Sequence, residues 1–378
     1  MKQASNDIQH KTSLDTEILP DHAQKGRGAV ANWLSTRFES ETRVRVDDGW
    51  QGLYEDEENL PKKLETVIGI DTSRSVINYN DSPDLGFDRS INPYRGCEHG
   101  CVYCFARPSH AYLGFSPGLD FESRLFIKQD APELLRKELN KPSYKPENII
   151  LGINTDAYQP IERKYEITRR IIEVFAEFRH PFTLITKSAL ILRDLDLIAP
   201  LAAAHLVHVC ISLCTLNADL HRVMEPRAAR PDKRLQVVKA LTDAGVKVAV
   251  LTAPVIPAIN DHEMETIMEA AVQNGATYTG YSFLRLPWEL KDMFIQWLAE
   301  HFPGRKEHTL SLLREIHGGK LYNSTFGERG RGKGAYAEMV RQRYKIACRK
   351  YHLNERDDWE LDVTQFRKIG DVRQMNLF

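Results

Sequence analysis

No run of apolar residues in this 378-residue chain is long enough to cross a bilayer. Its first residues, Met1-Lys-Gln-Ala-Ser-Asn-Asp7, lack the apolar segment of a secretory signal. A cytoplasmic protein that does not enter a membrane is the expectation. Charge of one sign is also missing. The net charge is −1, so no overall field draws nucleic acid or an anionic surface, and a polyanion partner needs a local patch. Six cysteines in a chain this long do not make a disulfide framework. There is no GxGxxG, no Gly-rich Lys-Ser/Thr loop and no Ser/His/Asp pattern, which removes the common nucleotide-binding and hydrolase signatures. What remains is ordinary for a globular protein, 42% hydrophobic and 27% charged residues, in a length that suits about two domains or one large barrel.

Three of the six cysteines stand together, in Arg95-Gly-Cys-Glu-His-Gly-Cys-Val-Tyr-Cys-Phe-Ala-Arg107. Cys97, Cys101 and Cys104 on one short loop suit three corners of a cubane 4Fe-4S cluster, and the next cysteine is Cys210. A cluster with three protein ligands keeps one iron open, which points to an enzyme and not to an electron carrier. Three other readings stay open. One is a zinc site completed by His99 or His110 in a non-catalytic module. A second is a disulfide with a spare thiol. The third is a cluster closed by Cys210, Cys214 or Cys348.

Along the chain, residues 1–87 are polar and weakly periodic. The first ~25 read as loosely held, while Lys25–Ala29 and Thr66–Ile70 are expected to pack on the core as an extension. Strand and helix signals then alternate. Strands are predicted at Arg89–Asn92, Asn148–Asn154, Pro181–Thr186, Leu206–Leu213, Val246–Thr252 and Ala276–Phe283. Helical signals fall at Asp130–Asn140, at Ile167/Ile171/Phe175/Phe178, at Leu190–Ala204, at Pro231–Gly245 and on a stripe from Met264 to Val272. Six βα units predict an α/β protein with a partial (β/α)6 barrel over 88–304 and a helical C-terminal region over 305–378, with helices at Arg305–His317 and Ala335–Tyr351. Catalytic groups of such sheets lie at the C-terminal strand ends, where the cysteine loop falls.

The C-x3-C-x2-C spacing with Tyr103 before the last cysteine resembles the signature of the radical SAM superfamily. A longer resemblance, over about residues 88–285, is to its spore photoproduct lyase branch, carried by Thr186-Lys187-Ser188, by Ser212, by Glu225-Pro-Arg-Ala-Ala-Arg-Pro-Asp-Lys-Arg-Leu235 and by Thr252-Ala-Pro-Val-Ile-Pro-Ala-Ile-Asn-Asp261. The resemblance implies a 4Fe-4S cluster on Cys97, Cys101 and Cys104 and S-adenosylmethionine (SAM) as cofactors. It also implies reductive cleavage of SAM, hydrogen abstraction from a substrate, and a flavodoxin- or ferredoxin-type electron donor. Tyr103 is then expected to hold the adenine through its backbone, Thr155 and Asp156 the amino group, Lys187 the carboxylate and Glu225 the ribose, with Ser212 and Arg227 as further contacts. Asp156 has a competing role as an Asx-type cap of the next helix.

One departure from that branch matters. Ile153 and Asn154 stand where the lyase carries its hydrogen-donating cysteine. If Ser212 faces the ligand, period-2 alternation puts Cys210 and Cys214 on the same face as candidate donors, unless they are small core residues. The segment Ser109–Phe121 is rich in aromatics, Gly and Pro and suits a pocket lining or a cover. The basic run Arg329–Lys350 suits nucleic-acid phosphates or a solvated face, so a lyase acting on nucleic-acid lesions is the nearest alternative activity.

Overall fold

The computed structural model describes residues 26–30, 32, 35, 37, 64–355 and 359–369; the expectation for the first ~25 residues lies outside them. Its centre is a seven-stranded sheet in the order β10-β9-β8-β7-β6-β3-β2. The strands are β2 (Ile77–Tyr79), β3 (Arg89–Ile91), β6 (Ile149–Leu151), β7 (Phe182–Thr186), β8 (Val207–Ser212), β9 (Val248–Val255) and β10 (Tyr278–Phe283). The six from β3 to β10 are parallel and are the six read from the sequence. β2 adds an antiparallel edge to β3, so the sheet starts earlier than residue 88.

Helices connect the strands. They are α2 (Ala131–Leu139), α3 (Glu162–Tyr165), α4 (Ile167–Phe178), α5 (Leu195–Ala203), α6 (Ala218–Met224), α7 (Pro231–Asp243) and α8 (Met264–Gln273). The longer ones, such as α4, present a stripe of apolar residues to one face of the sheet. In α4 the stripe is Ile167, Ile171, Ile172, Val174, Phe175 and Phe178, all buried. Phe182, Leu184, Val207, Val209, Ile211, Val248 and Val250 meet these helices in one core. The helix predicted over Leu190–Ala204 begins instead as a 3-10 turn, Ala189–Asp194, before α5. Ser188 caps that turn at Leu190 N (3.2 Å), and the buried Asp194 carboxylate serves Tyr158, Arg169 and Arg193 at the junction.

Alternation leaves Ile185, Cys210, Ala249, Leu251 and Tyr278 on the opposite face, where they form a small separate cluster with Trp359. Trp359 comes from the C-terminal tail, and its ring lies 4.2 Å from those of both His208 and Tyr278, centre to centre. The tail continues along the N-terminal strand edge. Asp362 N donates to His205 O (3.0 Å), Gln365 Nε2 to Ala204 O (2.7 Å) and Arg367 N to Phe178 O (3.0 Å). This end of the barrel is stoppered by chain from outside the six βα units.

A second sheet, β1-β5-β4, brackets the cysteine loop. β4 (Tyr94–Arg95) leads into it, α1 (Leu119–Ser123) and β5 (Arg124–Ile127) follow it, and β1 (Val67–Ile70) joins β5 in parallel. The C-terminal helices α9 (Leu290–His301), α10 (Lys306–Ile316) and α11 (Gly334–Lys350) share a second core with Cys101, Val102 and Tyr103. Between the edge strands β2 and β10, two loops meet. Arg329 pairs with Asp84 (Nε–Oδ2 2.6 Å) and donates to Ser82 Oγ, and Gly327 N donates to Asp84. Among the described residues no helix is long and apolar enough to cross a membrane.

Trp359→Ala removes the stopper. The expected cost is about 2–3 kcal/mol in urea unfolding, below that of a fully enclosed Trp because this ring is half-buried. Cys210, buried beneath it, then reacts with a thiol reagent faster than in the wild type.

Candidate active site

The loop that carries Cys97, Cys101 and Cys104 is a chain of turns with few neighbours of regular structure, so its backbone groups need partners from elsewhere. Arg107 supplies them. It is fully buried, and its five N–H groups are all used: Nε to Cys101 O (2.9 Å), Nη1 to Pro117 O (3.2 Å) and Gly118 O (3.0 Å), Nη2 to Gly100 O (3.0 Å) and to the Glu122 carboxylate. Glu122, equally buried, also accepts from Gly28 N (3.1 Å) and Ala29 N (2.8 Å). The expected packing of the Lys25–Ala29 segment on the core is thus seen for its described part. Contact there is close: a Cβ on Gly28 would stand 1.6 Å from Gly100 O.

Gln159 and Met224 hold the rest of the loop. Gln159 accepts from Glu98 N (2.8 Å) and donates to Gly96 O (3.1 Å), and Val102 N reaches Met224 O (3.0 Å). On the far side Arg234 plays a part like that of Arg107. It donates to Ser212 O (2.8 Å), Ala229 O (2.7 Å) and Glu225, and Glu225 accepts the Tyr103 hydroxyl. Arg107, Gln159 and Arg234 were not foreseen as structural partners. The only hint of them was a polar or charged residue inside an otherwise motif-bearing segment.

The thiols are buried at Cys97 and Cys101 and half-buried at Cys104. Burial, with Asp156 and the neighbouring thiols, pushes Cys97 well up. Burial also raises Cys101, against the pull of Lys187, to about 12. As free thiols these groups hold their protons, and a metal must displace them. Around them stand ionised partners. Burial works against charge on Asp156, yet His99, Lys187 and Thr186 hold it well below the carboxylate range. Burial likewise opposes charge on Glu225, but Arg234 and Lys187 bring it down to about 2. Lys187, opposed by burial, is pushed up by Cys101, Glu225 and Asp156, and its ammonium lies 6.0 Å from the centre of the Tyr103 ring.

The structure brings Tyr103, Thr155, Asp156, Lys187, Ser212, Glu225 and Arg227 to the same strand-end region as the cysteines, with amended duties. Asp156 accepts from Thr186 Oγ1 (2.7 Å), Lys187 N (2.7 Å) and Tyr158 N (2.9 Å), so it ties β6 to β7 and also makes the Asx turn. Thr155 donates to Tyr94 O (3.1 Å). Arg227 pairs with Glu98 (3.0 Å), which also accepts from Thr66. Glu225 was expected to face ribose hydroxyls. It is fully buried, with the Tyr103 hydroxyl and Arg234 on its two oxygens.

Cys210 and Cys214 do not share a face. β8 ends at Ser212, so the alternation stops. Cys210 lies under Trp359, while Cys214 turns into the core of the cysteine loop with Sγ 3.7 Å from the Tyr103 hydroxyl. Asn260, in the loop after β9, fixes this turn by donating to Cys214 O (2.7 Å) and Pro254 O (2.9 Å).

The donor set suits an iron–sulfur cluster. Three soft sulfurs sit on one pinned loop beside the half-buried Lys187. Among the described residues no three His, Cys, Asp or Glu side chains converge on one ion, whereas a cubane takes each thiolate on a separate iron. The histidines of the zinc reading are engaged elsewhere. His110 Nε2 lies 2.8 Å from Arg124 O among three phenylalanines, and His99 Nδ1 lies 3.3 Å from Asp156. Cys348 lies on α11 near Asn354, within 3.9 Å.

Arg107→Gln strands the buried Glu122 charge. The expected cost is about 3–5 kcal/mol in urea unfolding, with loss of bound iron after reconstitution. Glu225, depressed when folded, stabilises the fold above its ordinary carboxylate range and loses that contribution as pH falls towards about 2. Glu225→Gln should therefore flatten the acid limb of a stability–pH curve recorded on the metal-free chain.

A family model described as the Radical SAM superfamily matches residues 91–271. A Mycobacterium tuberculosis protein named Uncharacterized protein Rv2578c is 35% identical over 271 residues, 71% of this chain and 76% of its own. Uncharacterized protein MJ0683 of Methanocaldococcus jannaschii is 29% identical over 204 residues, 54% of this chain and 73% of its own. Among solved structures, a spore photoproduct lyase mutant superposes with a TM-score of 0.54 at 15% identity, over 76% of this chain and 79% of that one. Spore photoproduct lyase complexed with dinucleoside spore photoproduct gives 0.52 at 15%, over 76% and 78%. These two share the fold. With its cysteine loop at the C-terminal edge of six parallel strands, the chain belongs to the radical SAM superfamily.

Proposed function

We propose that this radical SAM enzyme binds a 4Fe-4S cluster through Cys97, Cys101 and Cys104 and uses it to cleave SAM reductively and abstract hydrogen from a substrate. The observation that carries the reading is the thiol trio itself, on a loop whose backbone Arg107 holds. A cluster held there would supply the one electron that splits the sulfonium C–S bond of SAM into methionine and a 5′-deoxyadenosyl radical.

The chain's own residues do the positioning and exclude water. Lys187 offsets the negative charge of the thiolates and is the nearest cation for the SAM carboxylate. Thr155 and Asp156, which follow β6, are assigned to its amino group, and Ser212, at the end of β8, is assigned as a further contact. Arg227 acts through Glu98, and Glu225 and Tyr103 support the loop from behind. Cys214, close to Tyr103, is the better-placed candidate hydrogen donor; Cys210, under Trp359, is the poorer one. A flavodoxin or ferredoxin supplies the electron, and the cytoplasm is the reducing compartment such a cluster requires.

A lyase acting on nucleic-acid lesions is the second reading, supported by the fold shared with spore photoproduct lyase. The basic run gives it little support, since Arg329, Lys333, Arg341 and Arg343 each pair with a carboxylate. Filter binding to oligonucleotides across a salt series separates the readings; a salt-dependent affinity favours the second.

Anaerobic reconstitution with iron and sulfide, then SAM and dithionite, should yield 5′-deoxyadenosine by mass spectrometry. Cys101→Ala should lose both the brown cluster absorption and that product. Full turnover in the mutant, or one zinc per chain with no visible absorption in the wild type, sinks the proposal.

A further inference from the structure

Several arginines that border the cysteine loop face a carboxylate. Arg107 faces Glu122, Arg227 faces Glu98, Arg234 faces Glu225 and Arg37 faces Glu289. Arg285 has no ion-pair or hydrogen-bond partner among the described residues, and its Nε is buried without one. It stands two residues beyond β10, at the strand edge that carries the thiols. Its guanidinium carbon lies 5.0 Å from the centre of the Phe105 ring, and Phe105 directly follows Cys104. Glu289, four residues on, takes Arg37 and Ser35 through Oε1 and makes no hydrogen bond to Arg285.

A buried guanidinium N–H without an acceptor is costly, and such groups in folded proteins are normally satisfied by protein, water or ligand. The cation–π contact with Phe105 holds this guanidinium beside the cysteine loop. Phe105 is 38% exposed; Trp288, three residues along the same loop, is 57% exposed and has the Arg37 guanidinium 4.5 Å from its ring centre. The combination is a guanidinium with an unused donor beside a partly exposed aromatic ring.

We infer that Arg285 anchors an anionic oxygen group, a carboxylate or a phosphate, of the substrate, with Phe105 as its positioning residue. The inference rests on the proposed function for the word substrate, since it places this group one residue from a cluster ligand. The binding site itself stands or falls separately.

The test uses the anaerobically reconstituted full chain and three small probes, namely phenyl phosphate, benzoate and uncharged benzyl alcohol, followed by ligand-observed NMR and calorimetry. Fragments of this size are expected to bind with dissociation constants of about 1 mM. The anions should bind saturably and benzyl alcohol should not, and the stronger of the two anions identifies the group. Arg285→Gln should weaken that anion by about tenfold or more, while Arg285→Lys, which keeps the charge but not the fork, loses only part of the affinity. Unchanged thermal midpoints in both variants assign the loss to the contact. Equal affinity in the wild type and Arg285→Gln overturns the inference. So does absence of anion binding, or displacement of the anion by SAM, which would give Arg285 to the cosubstrate. Formation of 5′-deoxyadenosine is measured on the same wild-type sample. Anion binding without it leaves the site standing and removes the proposed function; the reverse result removes the site alone.

Discussion

A guanidinium shut away from water sets the shape of the cysteine loop. Three sulfurs must face one place from a stretch of chain with little helix or ladder to fix it. The loop's carbonyls therefore need donors that come from a side chain, and Arg107 gives all five of its N–H groups to the loop, to its flanking turn and to Glu122. Arg234 does comparable work behind Tyr103 and Ser212. Both guanidiniums are dry, so each requires a buried carboxylate, and this explains why Glu122 and Glu225 are fully enclosed near a metal loop instead of open to a ligand. The same demand ties the N-terminal segment to the site, because Glu122 also takes the backbone of Gly28 and Ala29.

The charges nearest the thiols serve two ends. Asp156 links the ends of β6 and β7 and keeps Lys187 in place through the lysine's own backbone N–H. Lys187 in turn is a positive group beside the buried Cys101, which pushes it up. Structure and electrostatics are thus handled by the same few residues, and removal of one of them disturbs both.

The parallel sheet was legible because its signal is local. Short apolar runs alternate with helical stripes such as Ile167/Ile171/Phe175/Phe178, and every one of the six strands follows. The thiol trio was legible because three like residues share one loop. The duties of Glu225, Tyr103 and Cys214 were not, because they depend on what lies across the fold. Glu225 meets Arg234 from the next helix, and Cys214 leaves the strand pattern since β8 ends two residues before it. β2 and the Trp359 stopper were missed for the same reason. A three-residue strand and a lone tryptophan have no periodicity to read.

The seam between β2 and β10 is built differently from the other joints of the sheet. Six joints are hydrogen-bonded ladders, indifferent to dissolved ions, while this one is bridged by Arg329 with Asp84 and Ser82. Coulombic attraction at a partly wetted site weakens as the Debye length shrinks. The loops beside the sheet's two open edges are therefore joined by a contact whose grip follows ionic strength, and the spacing of that flank becomes a property of the surrounding electrolyte as much as of the polypeptide.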